Sequence, residues 1–138
     1  MATIRLVMEK YVDKNYDGRV YSFNGHHAKW FLGTPKNPLY EIFPDEKDTS
    51  KTILMGCEPN TIVKLCRKSY NNMVEFERNH QARLVWSKNE HGYIVSRDIK
   101  NPKEMYPMEK VITGSDVVEH VDGDPLNNKW DNLRVTEW

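Results

Sequence analysis

The first third of the chain consists of short runs of loosely alternating apolar residues, divided by turn signals. TIRLVMEKYV alternates and is rich in β-branched residues, which predicts a strand. Asp17-Gly18 then marks a turn, RVYSF a second strand, Asn24-Gly25 another turn, and AKWFLG a third strand closed by Gly33. From Thr34 to Ser50 the prolines and charges break any periodicity, so this stretch predicts a loop with at most one turn of helix. The pattern then becomes helical. With Pro59 and Asn60 or Thr61 as the start, Ile62, Leu65, Cys66, Ser69, Met73 and Phe76 fall on one face of an amphipathic helix. RLVWS and GYIVSRDI predict two more strands around an Asn89 to Gly92 turn, whereas EMYPMEKVITG fits either strand or short helix because Pro107 interrupts it. DVVEHVD predicts a strand entering the Asp122-Gly123-Asp124-Pro125 turn, and NNKWDNLRVTE a helical turn and a returning strand.

Together these elements predict an α+β fold: a β-rich N-terminal region with a Pro-rich loop (1–58), then one central amphipathic helix and a C-terminal hairpin (59–138), which could also form one compact domain. Composition narrows the class further. A hydrophobic content of 38% suits a modest core under a heavily solvated surface. No run of about 18 apolar residues is present, and the N-terminus lacks the pattern of a secretion signal. The two cysteines, Cys57 and Cys66, are therefore expected as reduced thiols in an intracellular, cytoplasmic protein.

The formal net charge is zero, which argues against a protein that coats nucleic acid indiscriminately. Its distribution is uneven: Asn60 to Lys100 holds eight Lys or Arg against four Asp or Glu, and Asn101 to the end reverses those counts. A basic middle could meet phosphate while an acidic end holds a divalent cation; two ordinary solvated faces would look the same. Lys64, Arg67, Lys68, Arg78, Arg83 and Arg97 are the candidate phosphate contacts.

The chemistry concentrates in VVEHVDGDPLNNKWDNLRV. A strand delivers Glu119 and His120 side by side to a loop of Asp, Gly and Asn. A carboxylate there can hold a hard cation, and an imidazole beside it can take a proton from water. Neighbouring strand residues point to opposite faces, so the two share a site only where the strand ends and twists. Asn127, Asn128 and Asn132 can tie a polar loop to its own backbone. A polar hairpin whose Asp and Asn only stabilise turns has the same composition.

The stretch resembles the core of the HNH endonuclease family, in its phage and homing-endonuclease branch. The resemblance rests on Val117-Val118, Glu119-His120, Asp122-Gly123, Asn127-Asn128 and Asn132-Leu133-Arg134. It covers about the last 20 residues, and more loosely the chain from Gly92. It implies a ββα-metal-type hairpin with Glu119 as ligand of Mg²⁺ or Mn²⁺, His120 as general base on a DNA phosphodiester, and Asn132 as holder of the loop. Asp122, Gly123, Asn127 and Asn128 would stabilise that loop.

Three departures stand beside the matches. Glu replaces the usual Asp or His at 119. Met108-Glu109 stands where the branch often has His-Arg. Only Val135, Thr136, Glu137 and Trp138 follow Arg134, so the expectation is a hairpin lacking its final helix. His26, His27, His80, His91 and Glu137 could supply a missing ligand, but none has a spacing that requires it. The resulting expectation is a degenerate nuclease scaffold that binds DNA or a host or phage protein, with an active metal-dependent nuclease or nickase as the alternative.

Overall fold

The structure is a computed structural model, and it describes residues 4–16, 20–21, 37, 39–42, 52–98 and 103–136. It is a mixed α+β arrangement. Helix α1 (Ile4–Tyr16) precedes β1 (Val20–Tyr21), β2 (Leu39–Ile42), β3 (Thr52–Cys57) and β4 (Thr61–Cys66), which form one antiparallel sheet in that order. Helix α2 (Arg67–His80) leads to a second antiparallel sheet of β5 (Leu84–Lys88), β6 (Ile94–Asp98) and β7 (Met105–Pro107). Helix α3 (Met108–Thr113) follows, then the hairpin of β8 (Val118–His120) and β9 (Leu133–Val135), with a 3₁₀ turn at Trp130–Asn132. Among the described residues, no helix is long and apolar enough to cross a membrane.

Two predicted elements change type. The opening segment is a helix, and among its described side chains Ile4 and Met8, one turn apart, are buried, at 3% and 0% exposure. Its apparent alternation has no sheet partner among the described residues. The stretch Thr61–Cys66 is a strand, not the first turns of the central helix. Thr61, Val63 and Leu65 point inward and Ile62, Lys64 and Cys66 alternate with them, in a continuous ladder with β3. The run Thr61-Ile62-Val63 is β-branched and favours a pleated surface, and pairing with β3 overrides the helical spacing. Helix α2 starts only at Arg67, with Cys66 as its N-cap: Ser69 N–H donates to Cys66 Sγ at 3.4 Å. Ser69 and Met73 are its buried residues, with Tyr70 and Phe76 packed partly against the core.

The stretch expected as a loop contains β2, whose Leu39 is buried. Of RVYSF, Val20 and Tyr21 pair with Ile42 and Glu41. The Asp17-Gly18 and Asn24-Gly25 turns, all of AKWFLG, and His26, His27 and Glu137 lie outside the described residues. The expected boundary near residue 58 falls in the connection of the β3–β4 hairpin. The cysteines are free thiols on adjacent strands, Cys57 closing β3 and Cys66 closing β4. The β5–β6 hairpin follows its pattern: Asn89 Oδ1 accepts from the N–H groups of His91 and Tyr93, both at 3.0 Å, and Gly92 takes the left-handed conformation at φ 88°.

Among the described residues a core cluster lies between the first two sheets, α2 and α3. Leu39, Ile53, Met55, Val63, Leu65, Met73, Trp86, Ile94, Met108, Val111 and Ile112 form a single cluster. Buried Asn37 bridges the sheets: its Nδ2 donates to the carbonyls of Gly56 (3.0 Å) and Trp86 (2.9 Å), and its Oδ1 accepts from Trp86 N–H (2.8 Å). Replacing it leaves buried backbone groups of both sheets without partners. Asn37→Ala is expected to cost about 2–4 kcal/mol in urea unfolding; a loss below about 1 kcal/mol would mean that water replaces the amide.

Candidate functional site

The C-terminal hairpin is short and leans on the rest of the fold. In β8, Val118 and His120 turn inward while Val117, Glu119 and Val121 face outward, as period-two geometry requires. Glu119 stands opposite Arg134 in the register, and Arg134 Nη2 donates to Glu119 Oε2 at 2.6 Å in an exposed ion pair. His120 is nearly enclosed, with 9% of its side chain exposed. The structure therefore does not bring the two residues of the expected pair to one site.

Nε2 of His120 lies 2.7 Å from Oδ1 of Asn128, a residue with no exposure at all. Nδ2 of the same amide donates to Met108 Sδ at 3.1 Å. An inverted amide would set its oxygen against the thioether, so the oxygen faces the imidazole and Nε2 carries the ring proton. The backbone of Asn128 is equally committed: its N–H donates to Lys64 O at 2.8 Å and its carbonyl accepts from Ser69 Oγ at 2.7 Å. Lys64 N–H donates in turn to Leu126 O at 2.8 Å, so the loop pairs along the outer edge of β4.

Nearby, Trp130 N–H donates to Cys66 Sγ at 3.3 Å, Lys129 Nζ reaches Thr52 Oγ1 at 2.6 Å, and Lys68 Nζ lies 4.6 Å from the centre of the Trp130 ring. Burial raises the Cys66 thiol, but hydrogen bonds from Ser69 and from the backbone of Trp130, Ser69 and Lys68 together hold it below the ordinary thiol value. Cys57, enclosed with Asn37 Nδ2 3.8 Å from its sulfur, is pushed up to about 12 by burial.

The loop is held by its own side chains. Gly123 supplies the left-handed conformation at φ 76°. Asp122 Oδ1 accepts from Asp124 N–H (2.8 Å) and Asn132 Nδ2 (2.9 Å), and Asp122 Oδ2 from Asn127 Nδ2 (2.9 Å). Asn132 also accepts from Asp122 N–H (3.1 Å) and donates to Asn127 O (2.8 Å). Asp122, Asn127 and Asn132 are thus brought together, and their hydrogen bonds hold the Asp122 carboxyl at about 2.

Sequence reading passed over Glu109 as a departure. On α3 it is 8% exposed, and its Oε1, 3.4 Å from His120 Nε2, is buried without a hydrogen-bond partner among the described residues. Burial pushes its carboxyl up, against the opposing pull of a hydrogen bond from its own backbone and of His120. The available signal was a single carboxylate set among Met108, Val111 and Ile112, all buried. Glu109 and His120 line a cavity of about 140 Å³ between α3 and β8, together with Tyr93, Lys110, Ser115 and Asp116.

The expected metal does not fit at Glu119, which is turned to solvent and held by Arg134 on the face away from His120. Among the described residues, no three His, Cys, Asp or Glu side chains gather as a metal cluster. His80 closes α2, stacked on Phe76, and His91 sits exposed in the β5–β6 turn, so neither reaches the hairpin.

The basic residues split into groups. Lys64, Arg67 and Lys68 surround the β4–α2 joint beside Trp130, and Arg78 and Arg83 lie near the other end of α2, about 16 Å away by helical rise. Arg97 is exposed on β6, opposite Val85.

The depressed Asp122 carboxyl fixes a pH window. Its charged form is favoured in the folded loop, so its contribution is complete above about pH 4, the ordinary aspartate value, and is lost as pH falls through about 2. The Asp124 amide resonance is expected to titrate near that lower value, and a midpoint near the ordinary aspartate value would show that the bonds to Asp122 do not persist.

Comparison of the chain with protein-family models, with curated proteins and with solved structures found no match.

Proposed function

We propose that this chain is an HNH-endonuclease-derived scaffold that binds DNA through the basic surface around the start of α2 and does not cut it. The observation that carries this reading is the separation of the expected catalytic pair. Glu119 is held outward by Arg134, while His120 turns inward, where its Nε2 bonds to Asn128 Oδ1. Arg67 and Lys68 are exposed in the first turn of α2. Lys68 lies over Trp130, beside the hairpin loop, an arrangement suited to following a phosphate backbone. Zero net charge favours local contacts of this kind over uniform coating.

An active nickase remains the second reading. It is favoured by the open cleft beside His120, which offers a carboxylate from α3 in place of Glu119.

Fluorescence anisotropy with a short duplex, alongside a plasmid cleavage assay in Mg²⁺ or Mn²⁺, separates the readings. The proposal expects salt-dependent binding, a salt slope reduced by about two units in Arg67→Glu/Lys68→Glu, and intact supercoiled plasmid. Metal-dependent nicking that vanishes in His120→Ala would establish the second reading instead. Binding that ignores both salt and the double reversal would remove DNA as the ligand and turn attention to a protein partner.

A further inference from the structure

We infer that the cleft between α3 and β8 takes one divalent transition-metal cation, with the Glu109 carboxylate and the His120 imidazole as its protein ligands. The inference rests on the geometry of these two side chains and is independent of the proposed DNA binding. It differs from what the resemblance implies, because the carboxylate comes from helix α3 and not from the hairpin.

Three observations converge on this cleft. First, Glu109 Oε1 is enclosed and lacks any hydrogen-bond partner among the described residues, a costly state for a polar atom and one that a bound cation relieves. Second, it stands 3.4 Å from His120 Nε2. Two ligands each about 2.1 Å from a common ion are separated by roughly 3.0 to 3.4 Å at octahedral to tetrahedral angles. The pair therefore has the bite of a metal site before any ion arrives. Third, the adjoining cavity, about 140 Å³, has room for the ion's remaining water ligands, with Tyr93, Ser115 and Asp116 on its walls. Lys110, the cation on the rim, is paired with Asp116 at 2.7 Å.

The donor set indicates the class of ion. Imidazole with carboxylate suits Mn²⁺ or Zn²⁺ better than Ca²⁺. Two protein ligands make an open site that keeps several waters. Binding uses the Nε2 lone pair, so the ring proton moves to Nδ1 and the bond to Asn128 Oδ1 is given up. The freed amide oxygen then faces the ion.

Mn²⁺ titration of the full chain, followed by electron paramagnetic resonance of the free ion, tests the site. One saturable Mn²⁺ per chain is expected. Glu109→Gln and His120→Gln should each weaken binding by more than the roughly 10- to 100-fold that an outer-shell change costs. Glu119→Gln should retain the wild-type affinity. Without metal, Glu109→Gln should melt at or above the wild-type temperature, since it removes a buried negative charge whose Oε1 has no hydrogen-bond partner among the described residues, and this separates ligand loss from unfolding. The absence of saturable binding would overturn the inference, as would binding that survives Glu109→Gln. Binding lost in Glu119→Gln would also overturn it, and would assign the ion to the outer face of the hairpin.

Discussion

The buried amide of Asn128 joins the C-terminal hairpin to everything else. Its backbone N–H and carbonyl are taken by Lys64 on β4 and Ser69 on α2, and its side chain spans Met108 on α3 and His120 on β8. Four elements from distant parts of the sequence thus meet on one residue with no exposure. A hairpin with three-residue strands has little stability of its own in water. Its position depends on these bonds, with support from Trp130 N–H on Cys66 and Lys129 on Thr52. Because every polar group of the amide is matched, the network rigidifies the joint; removing one partner would leave another buried and unsatisfied.

That constraint also decides what His120 can do. The amide oxygen fixes which ring nitrogen carries the proton and turns the imidazole toward α3, away from Glu119. A one-residue step along a strand reverses the facing side, so Glu119 could join His120 only if β8 ended or twisted between them. Instead the strand continues through both residues and Arg134 closes over Glu119 from β9. The carboxylate nearest the imidazole is Glu109, supplied by a short helix whose other inward residues belong to the core. The inner side of the hairpin is therefore where its chemistry lies.

Much of the C-terminal half was legible because its signals are local. Asn89 and Gly92 dictate a turn between two alternating runs, and Asp122-Gly123 with Asn132 dictates a loop that satisfies itself. Elements whose identity depends on a distant partner were not legible. Thr61–Cys66 satisfies helical spacing as well as alternation, and only the ladder to β3 decides between them. Ile4 and Met8 read as part of an alternating run until their burial one turn apart is known. The expected pairing of Glu119 with His120 failed for a reason already present in strand geometry. The significance of Glu109 required knowing that α3 packs beside β8, a long-range fact that no spacing encodes.

The central claim is that Asn128 sets the protonation of His120 in the metal-free protein. Long-range ¹H–¹⁵N correlation of the His120 imidazole in EDTA tests it most directly. The account predicts a protonated Nε2 and a bare Nδ1 in the neutral ring, with that preference lost in Asn128→Ala. A neutral ring with its proton on Nδ1 in the wild-type protein, or a preference unchanged by Asn128→Ala, would contradict it.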